Sequence, residues 1–208
     1  MVRYNHAHNR VVFDSYNFSS KDMEFLMSVN YRYMACDPDT KNSAYAIVDA
    51  EGKLIDAWVV KAAGLEECAM QHSLHLPEVE EDVEYKTFVE SQQFYNGDDP
   101  KKVKNLLVLA RTCGISMMYV SLHYSQPTLI LPRKWSKSRQ KKSNQYWMIT
   151  KMGYTPVEAA GYCYAEELLT LFPKTHQKHL WDAICIAQYG REQHQEKLKL
   201  EAFKQRNS

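Results

Sequence analysis

Apolar and polar positions along the chain follow two periodic patterns, one typical of strands and one typical of helices. The strand pattern occurs in five short segments, at residues 31–37, 43–49, 53–60, 84–90 and 128–131. The second and third of these form a predicted hairpin whose turn, residues 50–52, contains a glycine that can supply a positive φ. The first and the fourth of these strands end on acidic residues, Asp37 and Glu90, and the second ends on Asp49 at the hairpin.

The helical pattern places apolar residues three or four positions apart. It occurs at residues 62–72, 99–123, 143–151, 156–171 and 178–192. Asp99 followed by Pro100 is a strong helix start, and we expect this helix to continue through Gly114 to about His123. Strands that alternate with helices in this order predict an α/β fold with a mixed sheet, and exclude a barrel or a sandwich.

The two ends of the chain lack this regular pattern. Residues 1–30 are predicted to be an N-terminal extension, with a short helix at residues 20–29. Residues 31–192 would form the main domain, and residues 193–208 a charged C-terminal tail that frays.

Composition excludes several classes of protein. The chain has 208 residues, of which 45% are hydrophobic and 25% charged, so it is long enough for one domain with a substantial core. We find no unbroken apolar stretch that would cross a membrane and no signal-peptide pattern, and therefore expect a cytoplasmic protein. The 5 cysteines show no zinc-ribbon spacing and predict reduced, buried thiols.

The net charge of +1 conceals an uneven distribution of charge along the chain. Residues 100–157 contain lysines and arginines but no Asp or Glu, whereas residues 62–99 are acidic with Lys86 as their single basic residue. A charge run is usually a solvated face. A long region of one sign repels itself, and binding to a polyanion such as nucleic acid would relieve that repulsion.

Four residues with metal-ligand chemistry stand at related positions. Asp37 and Glu90 end two strands, and these acids would meet if the strands are parallel neighbours. His179 and Asp182 lie three positions apart and share one face of a predicted helix. Clustered acids repel each other, and a divalent cation such as Mg²⁺ or Mn²⁺ is the usual resolution. Each residue taken alone is more often a cap, a turn or a surface residue.

Five motifs then occur in a recognisable order. Asp37-Pro38 stands between two apolar strands, and Phe88-Val89-Glu90 precedes Gln92 and a further aromatic residue. The remaining three are the helix of residues 96–114 with its Leu-Ala-Arg ending, Leu131-Pro132-Arg133 with the basic stretch behind it, and His179 with Asp182. Over residues 31–192 this ordered set resembles the RuvC-type Holliday-junction resolvases of the RNase H-like superfamily. The resemblance implies an RNase H-like mixed five-stranded sheet flanked by helices, in a bacterial or bacteriophage member.

The resemblance also implies an activity. Such enzymes are homodimeric endonucleases that nick two opposed strands of a four-way DNA junction and leave 5′-phosphate and 3′-hydroxyl ends. Each site would use two Mg²⁺ ions, replaceable by Mn²⁺, about 3.5–4 Å apart. Asp37 would bridge both ions, Glu90 and Asp182 would each help to hold one, and His179 would bind a metal or position the attacking water. The dimer would pack through residues 100–123.

Ten residues are predicted to contact branched DNA. Phe94 and Tyr95 are candidates to wedge into the junction, and the others would grip phosphates: Lys101, Lys102, Arg133, Lys134, Lys137, Arg139, Lys141 and Lys142. Trp135, Tyr146 and Trp147 lie among them and could stack on unpaired bases. We expect Tyr146 and Trp147 to be helix core instead.

The chain also departs from the family pattern. Asp39 stands where the family has glycine, Gln93 stands where it has an aromatic residue, and residues 152–176 are longer than their counterpart. These differences leave open a flap, fork or other branched-DNA nuclease of the same fold. A non-catalytic nucleic-acid-binding module is a third hypothesis, against which the four competent metal ligands argue.

Overall fold

A five-stranded mixed sheet forms the centre of the protein, as the sequence pattern predicts. The computed structural model describes the backbone of residues 2–5, 10–13, 29–91, 100–136 and 140–206, and the side chains of residues 29–91, 105–136 and 140–205. The sheet strands are β3 (Asn30–Asp37), β4 (Asn42–Asp49), β5 (Leu54–Lys61), β6 (Val83–Glu90) and β7 (Thr128–Ile130). They lie in the order β5-β4-β3-β6-β7, with β3, β4 and β5 antiparallel and β6 and β7 parallel to β3.

Five helices accompany the sheet in the part of the chain that is described. They are α1 (Leu65–His75), α2 (Pro100–His123), α3 (Pro132–Ser136), α4 (Lys141–Lys151) and α5 (Lys174–Arg206). The predicted helix from Asp99–Pro100 through Gly114 to His123 is confirmed as α2. Outside the sheet, β1 (Val2–Asn5) and β2 (Arg10–Phe13) pair antiparallel, and the helix predicted at residues 20–29 falls outside the described residues except Val29.

The central strand β3 distributes its side chains to two cores. Met34 and Cys36 pack with Cys113 and Val120 of α2, whereas Tyr33 and Ala35 face the cluster that contains Ile186 and Ala187 of α5. Successive strand residues point to opposite faces, so a strand covered on both sides is apolar throughout. This explains why β3 is buried continuously from Tyr33 to Asp37.

The turn between β4 and β5 confirms the predicted hairpin. Gly52 has a φ of 87°, and its N–H donates to the carbonyl of Asp49 at 3.0 Å. Any other residue would be strained at this positive φ. Its Cβ would also lie 2.8 Å from the side-chain oxygen of Gln188. Gln188 and Arg191 of α5 donate in turn to the carbonyls of Gly52 and Ala50, so the turn is fastened to the helix.

The helix predicted over residues 156–171 is wrong. This segment forms β8 (Pro156–Ala159) and β9 (Tyr162–Ala165), an antiparallel hairpin followed by a single 3₁₀ turn. Ala160 and Gly161 both have positive φ, at 47° and 80°, which is the backbone of a two-residue type I′ turn. The glycine permits this turn, and the β-branched and aromatic residues around it favour strands.

The last helix is longer than the pattern predicts. It begins at Lys174 and continues past Glu192 to Arg206, so the expectation of a fraying tail from residue 193 is wrong for residues 193–206. Side-chain contacts with the sheet hold the additional turns. Gln195 donates to the carbonyl of Ala50 at 2.7 Å, and His194 Nδ1 lies 3.1 Å from the hydroxyl of Tyr33. The division into extension, domain and tail remains a prediction.

A second correction concerns the expectation that no apolar segment is long enough to cross a membrane. Within α2, Asn105–His123 is long and apolar enough to span a membrane by length and composition, with a mean hydropathy of 1.4. The segment contains no unbroken apolar run of that length, because Arg111, Thr112 and Ser116 interrupt it. Only 22% of this segment is buried within the protein.

All five cysteines are buried and free, which confirms the prediction of reduced thiols.

Candidate active site

Asp37 and Glu90 lie side by side at one edge of the sheet. The strands β3 and β6 that end on them are parallel neighbours, and their register pairs Cys36 with Val89 immediately before the two acids. Asp37 has the strand parity of Tyr33 and Ala35, and Glu90 has that of Phe88, so both acids project towards α5. The predicted meeting of these two carboxylates is confirmed.

Helix α5 brings the other two predicted residues to the same place. His179 Nδ1 lies 2.9 Å from Asp37 Oδ2, and both side chains are largely buried. Asp182, one turn further along the helix, is 2% exposed. Because a carboxylate oxygen accepts, the Nδ1–H of His179 donates and its Nε2 remains as the ring nitrogen that can accept. The three-residue offset therefore places His179 and Asp182 on one face, as predicted.

The three carboxylates influence each other strongly. Burial and the charges of Asp37 and Asp182 together raise the pKa of Glu90 to about 9, against a hydrogen bond from Trp135 that lowers it. Burial also raises the pKa of Asp182 to about 7, although Lys141 lowers it. Both raised pKa values show that Glu90 and Asp182 ionise less readily in this cluster than in water.

Lys141 supplies positive charge to this cluster. Its Nζ forms an ion pair with Asp182 Oδ2. Burial lowers the pKa of Lys141, but Asp182, Asp37 and Glu90 together leave it above its ordinary value. One lysine therefore interacts with all three acids from the position where it contacts Asp182.

The arrangement has the donor chemistry of a divalent-metal site, but the side chains stand in separate pairs. Among the described residues, no three His, Cys, Asp or Glu side chains are grouped tightly enough to hold a metal ion. His179 is paired with Asp37, and Asp182 with Lys141. Carboxylate oxygens are nevertheless the preferred ligands of Mg²⁺, and three neighbouring carboxyl groups, two of which (Glu90 and Asp182) have raised pKa values, are a charge pattern that a divalent cation would relieve. The residues thus fit such an ion chemically.

Two residues that the sequence reasoning did not assign to the site hold its acids in place. Trp135 Nε1 donates to Glu90 Oε1 at 2.8 Å. Gln145 is fully buried, and its Nε2 lies 3.3 Å from Asp182 Oδ1 and 3.1 Å from the carbonyl of Lys178. Its Oε1 accepts from the backbone N–H of Cys163 in β9 at 3.1 Å. Lys141 and Gln145 are four residues apart and therefore share one face of α4. This spacing identifies them as site residues only when the position of the β8–β9 hairpin is known.

The predicted DNA contacts are distributed unevenly. Arg133 and Lys134 are exposed on α3, whereas Lys141 pairs with Asp182 and Lys142 pairs with Glu158. Lys101 and Lys102 belong to the first turn of α2, where side chains are not described. The remaining four fall outside the described residues: Phe94, Tyr95, Lys137 and Arg139.

Two aromatic residues on α4 are exposed and not in the core. Tyr146 is 45% exposed and Trp147 is 47% exposed, so the expectation that both are helix core is wrong. The buried face of α4 is formed instead by Asn144, Gln145, Met148 and Ile149.

Comparison with known proteins identifies the fold. No protein-family model matches the chain, and no curated protein matches it. Among solved structures it is similar to one described as T. thermophilus RuvC in complex with Holliday junction substrate, with a TM-score of 0.50 and 15% identity. The match covers 75% of this chain and 91% of that chain. At this identity the likeness shows the fold alone, and the chain has an RNase H-like fold with a mixed five-stranded sheet flanked by helices.

Proposed function

We propose that this protein is a divalent-metal-dependent endonuclease that resolves four-way DNA junctions by paired nicking. The observation that carries the proposal is the convergence of Asp37, Glu90 and Asp182, from two parallel strands and one helix, at one edge of an RNase H-like sheet. The solved structure with a similar fold is described as a complex with a Holliday junction substrate. That description supports branched DNA as the substrate class.

The chain's own residues would share the work of the site. Asp37, Glu90 and Asp182 would hold Mg²⁺ or Mn²⁺, which when bound supplies Lewis acidity to a phosphodiester. Binding by Asp182 requires Lys141 to leave its carboxylate, and a nearby DNA phosphate would be an alternative partner for the lysine. His179 would fix the orientation of Asp37 through Nδ1, with Nε2 available to a ligand or to water.

Basic residues next to the site favour a polyanionic substrate. Arg133 and Lys134 are exposed on α3, and the neighbouring Trp135 reaches Glu90 directly. A phosphate backbone that passes over α3 would therefore lie close to the acids. Such contacts give affinity that falls steeply with salt, and they carry no sequence information.

Cleavage of a synthetic four-way junction in Mg²⁺ tests the function. We expect two symmetric nicks that leave 5′-phosphate and 3′-hydroxyl ends, and a loss on the order of 100-fold or more in Asp37→Asn. The matched control is Asp49→Asn, because Asp49 ends β4 at the opposite edge of the sheet. Unpaired nicks, or full activity in Asp37→Asn, would contradict the proposal.

Junction selectivity needs a separate comparison. The departure at Asp39 has a structural explanation, since its Oδ1 accepts from the N–H groups of Lys41 and Asn42 and its own N–H donates to Ser43. It organises the loop after β3 and gives no support to a different substrate. Equal cleavage rates on junctions, flaps and forks would favour the general branched-DNA nuclease.

We propose a homodimer through α2. Its exposed side carries a stripe of apolar and small residues at helical spacing: Leu107, Ala110, Gly114, Met118 and Leu122. Gly114 has open space around it, which would admit close approach of a second helix. A second copy of the same face would cover these residues in a symmetric interface.

Sedimentation velocity tests this interface with two matched leucines. Leu122, on the stripe, is 72% exposed, and Leu171, outside it, is 70% exposed. We expect Leu122→Lys to sediment as a monomer and Leu171→Lys to sediment like the wild type. A wild-type monomer, or an equal effect of the two substitutions, would contradict the dimer.

A further inference from the structure

A pocket beside the acidic cluster has no role in the function proposed above. It encloses about 220 Å³ between α3, α4 and α5. Trp135, Trp147 and Tyr189 supply its aromatic lining, and Asn144 and Glu192 add polar groups. The pocket and the cluster share Trp135, whose Nε1 donates to Glu90 Oε1 at 2.8 Å. An occupant would therefore be separated from the acids by a single indole.

The lining selects one kind of occupant. Buried Met148 and Cys185 add apolar surface, and among the residues that the structure describes no lysine or arginine contributes to the lining. A phosphate would lack a counter-charge there and would meet the carboxylate of Glu192. The volume is below the roughly 300–1,000 Å³ of sites for drug-sized molecules. A small, planar, neutral group that stacks on aromatic rings fits these conditions.

An exposed aromatic ring in the lining and a lysine beside it make the pocket suitable for DNA. Trp147 contributes to the lining although it is 47% exposed, and Lys151 Nζ lies 4.8 Å from its ring centroid. Asn144 is 6% exposed, and its Nδ2 donates to the carbonyl of Ser136 at 3.2 Å, which fixes the amide at the pocket. The pocket thus combines stacking surface with polar groups, while cations lie outside it, where a sugar–phosphate backbone would pass.

We infer that this pocket is a subsite for one unpaired nucleobase of the bound DNA, next to the phosphate that is cleaved. The inference rests on the proposed function, because it requires a DNA substrate at the acidic cluster. Glu192 can only accept hydrogen bonds when ionised, so it favours a base with an exocyclic amino group. Adenine, cytosine and guanine carry such a group. Thymine does not, and its single ring N–H lies between two carbonyl oxygens that a carboxylate repels.

Equilibrium binding of abasic junctions tests the subsite without cleavage. The full-length chain is titrated, in EDTA, with fluorescent four-way junctions that each carry one abasic site near the branch point. We expect one position at which the missing base weakens binding about 10-fold, the loss of one base–aromatic stack. Trp147→Ala should bind the intact junction about 10-fold more weakly and show no further loss at that position. Trp147→Phe should retain most of the affinity.

Tyr146→Ala is the matched control. Tyr146 precedes Trp147, is 45% exposed and does not line the pocket, so its loss should leave the effect of the abasic position unchanged. Thermal unfolding of each variant establishes that it is folded. Equal losses in Tyr146→Ala and Trp147→Ala, or no sensitive abasic position in the wild type, would overturn the subsite.

Replacing the base at the sensitive position tests the role of Glu192. We expect thymine to bind more weakly than the amino-bearing bases, and Glu192→Gln to reduce that difference. A chain that binds no branched DNA overturns both the subsite and the proposed function. A chain that cleaves junctions but is indifferent to every abasic site overturns the subsite alone.

Discussion

His179 Nδ1 lies 2.9 Å from Asp37 Oδ2, although the two residues are 142 positions apart in the chain. The contact joins α5 to the end of β3 and limits the orientations open to the Asp37 carboxylate. Since Nδ1 is engaged by Asp37, this contact also holds the imidazole in place. The structure therefore assigns His179 a positioning contact in addition to the metal or water role that the sequence suggests.

Substituting His179 with amides of different length separates these roles. The amide nitrogen of Asn lies near the place of Nδ1, and that of Gln lies near the place of Nε2. If the contact with Asp37 matters most, His179→Asn should retain junction cleavage within about 10-fold, and His179→Gln and His179→Ala should lose about 100-fold. Single-turnover nicking rates measure this order.

Mn²⁺ titration of the same variants provides the control. A positioning role predicts that the half-saturating Mn²⁺ concentration changes little in His179→Asn. Greater activity in His179→Gln than in His179→Asn would show that Nε2 carries the function and would contradict the positioning role.

Gln145 should contribute measurably to stability. Its side chain contacts Asp182 and the carbonyl of Lys178 and accepts from the N–H of Cys163, all in the interior. Gln145→Leu leaves the buried N–H of Cys163 without this acceptor, and we expect a loss of about 2–3 kcal/mol in the free energy of unfolding. Urea denaturation measures it. Gln193→Leu, at an exposed position, should change the free energy by less than about 0.5 kcal/mol, and equal effects would contradict the argument.

The acids of the site could be predicted from sequence because their placement depends on local pattern. Asp37 and Glu90 end apolar strands, and His179 and Asp182 share a helix face by spacing alone. A parallel arrangement of β3 and β6 brings the two acids together. The packing of α5 on the same face of the sheet then adds His179 and Asp182.

Other parts of the site depend on contacts that local pattern does not contain. The hairpin of β8 and β9 was predicted as a helix because its residues also satisfy a helical spacing, and Ala160 gives no sign that it adopts positive φ. Without the hairpin, the side-chain oxygen of Gln145 has no hydrogen-bond partner, so local pattern does not predict that Gln145 faces inward. The continuation of α5 beyond Glu192 likewise depends on contacts with the β4–β5 turn, such as Gln195 with Ala50.

Histidine titration should make stability depend on pH. His72 is fully buried, its Nδ1 pairs with the hydroxyl of Tyr45, and its Nε2 has no hydrogen-bond partner within the described residues. Burial lowers the pKa of His72 from 6.5 to about 4. Above pH 6.5 the ring is neutral in both states, and below it the unfolded chain binds the proton more readily. The neutral ring therefore makes its full contribution to the free energy of unfolding above pH 6.5. That contribution falls by about 3 kcal/mol as the pH is lowered from 6.5 to 4.

Urea denaturation between pH 7 and pH 5 measures this slope. His72→Gln should flatten it, whichever way the substitution changes the stability at pH 7. His75→Gln is the matched control, because His75 is exposed on the same helix and its replacement should leave the slope nearly intact. An unchanged slope in His72→Gln would show that other groups are responsible.

Two helical glycines should respond in opposite directions to the same substitution. A Cβ at Gly190 of α5 would lie 2.4 Å from the ring of Phe88 on β6, whereas a Cβ at Gly114 of α2 would meet nothing within 4 Å. Alanine favours a helix over glycine by about 1 kcal/mol at either position. At Gly190 overpacking of about 1–3 kcal/mol opposes that gain, because an aromatic ring between a helix and a sheet has little room to shift. In the Leu122→Lys background, where no second copy covers Gly114, we therefore expect Gly190→Ala to lower the melting temperature by a few degrees and Gly114→Ala to raise it by roughly 2–4 °C. Differential scanning calorimetry at equal protein concentration measures both, and a Gly190→Ala variant as stable as Gly114→Ala would show that α5 does not approach β6 as closely as the structure has it.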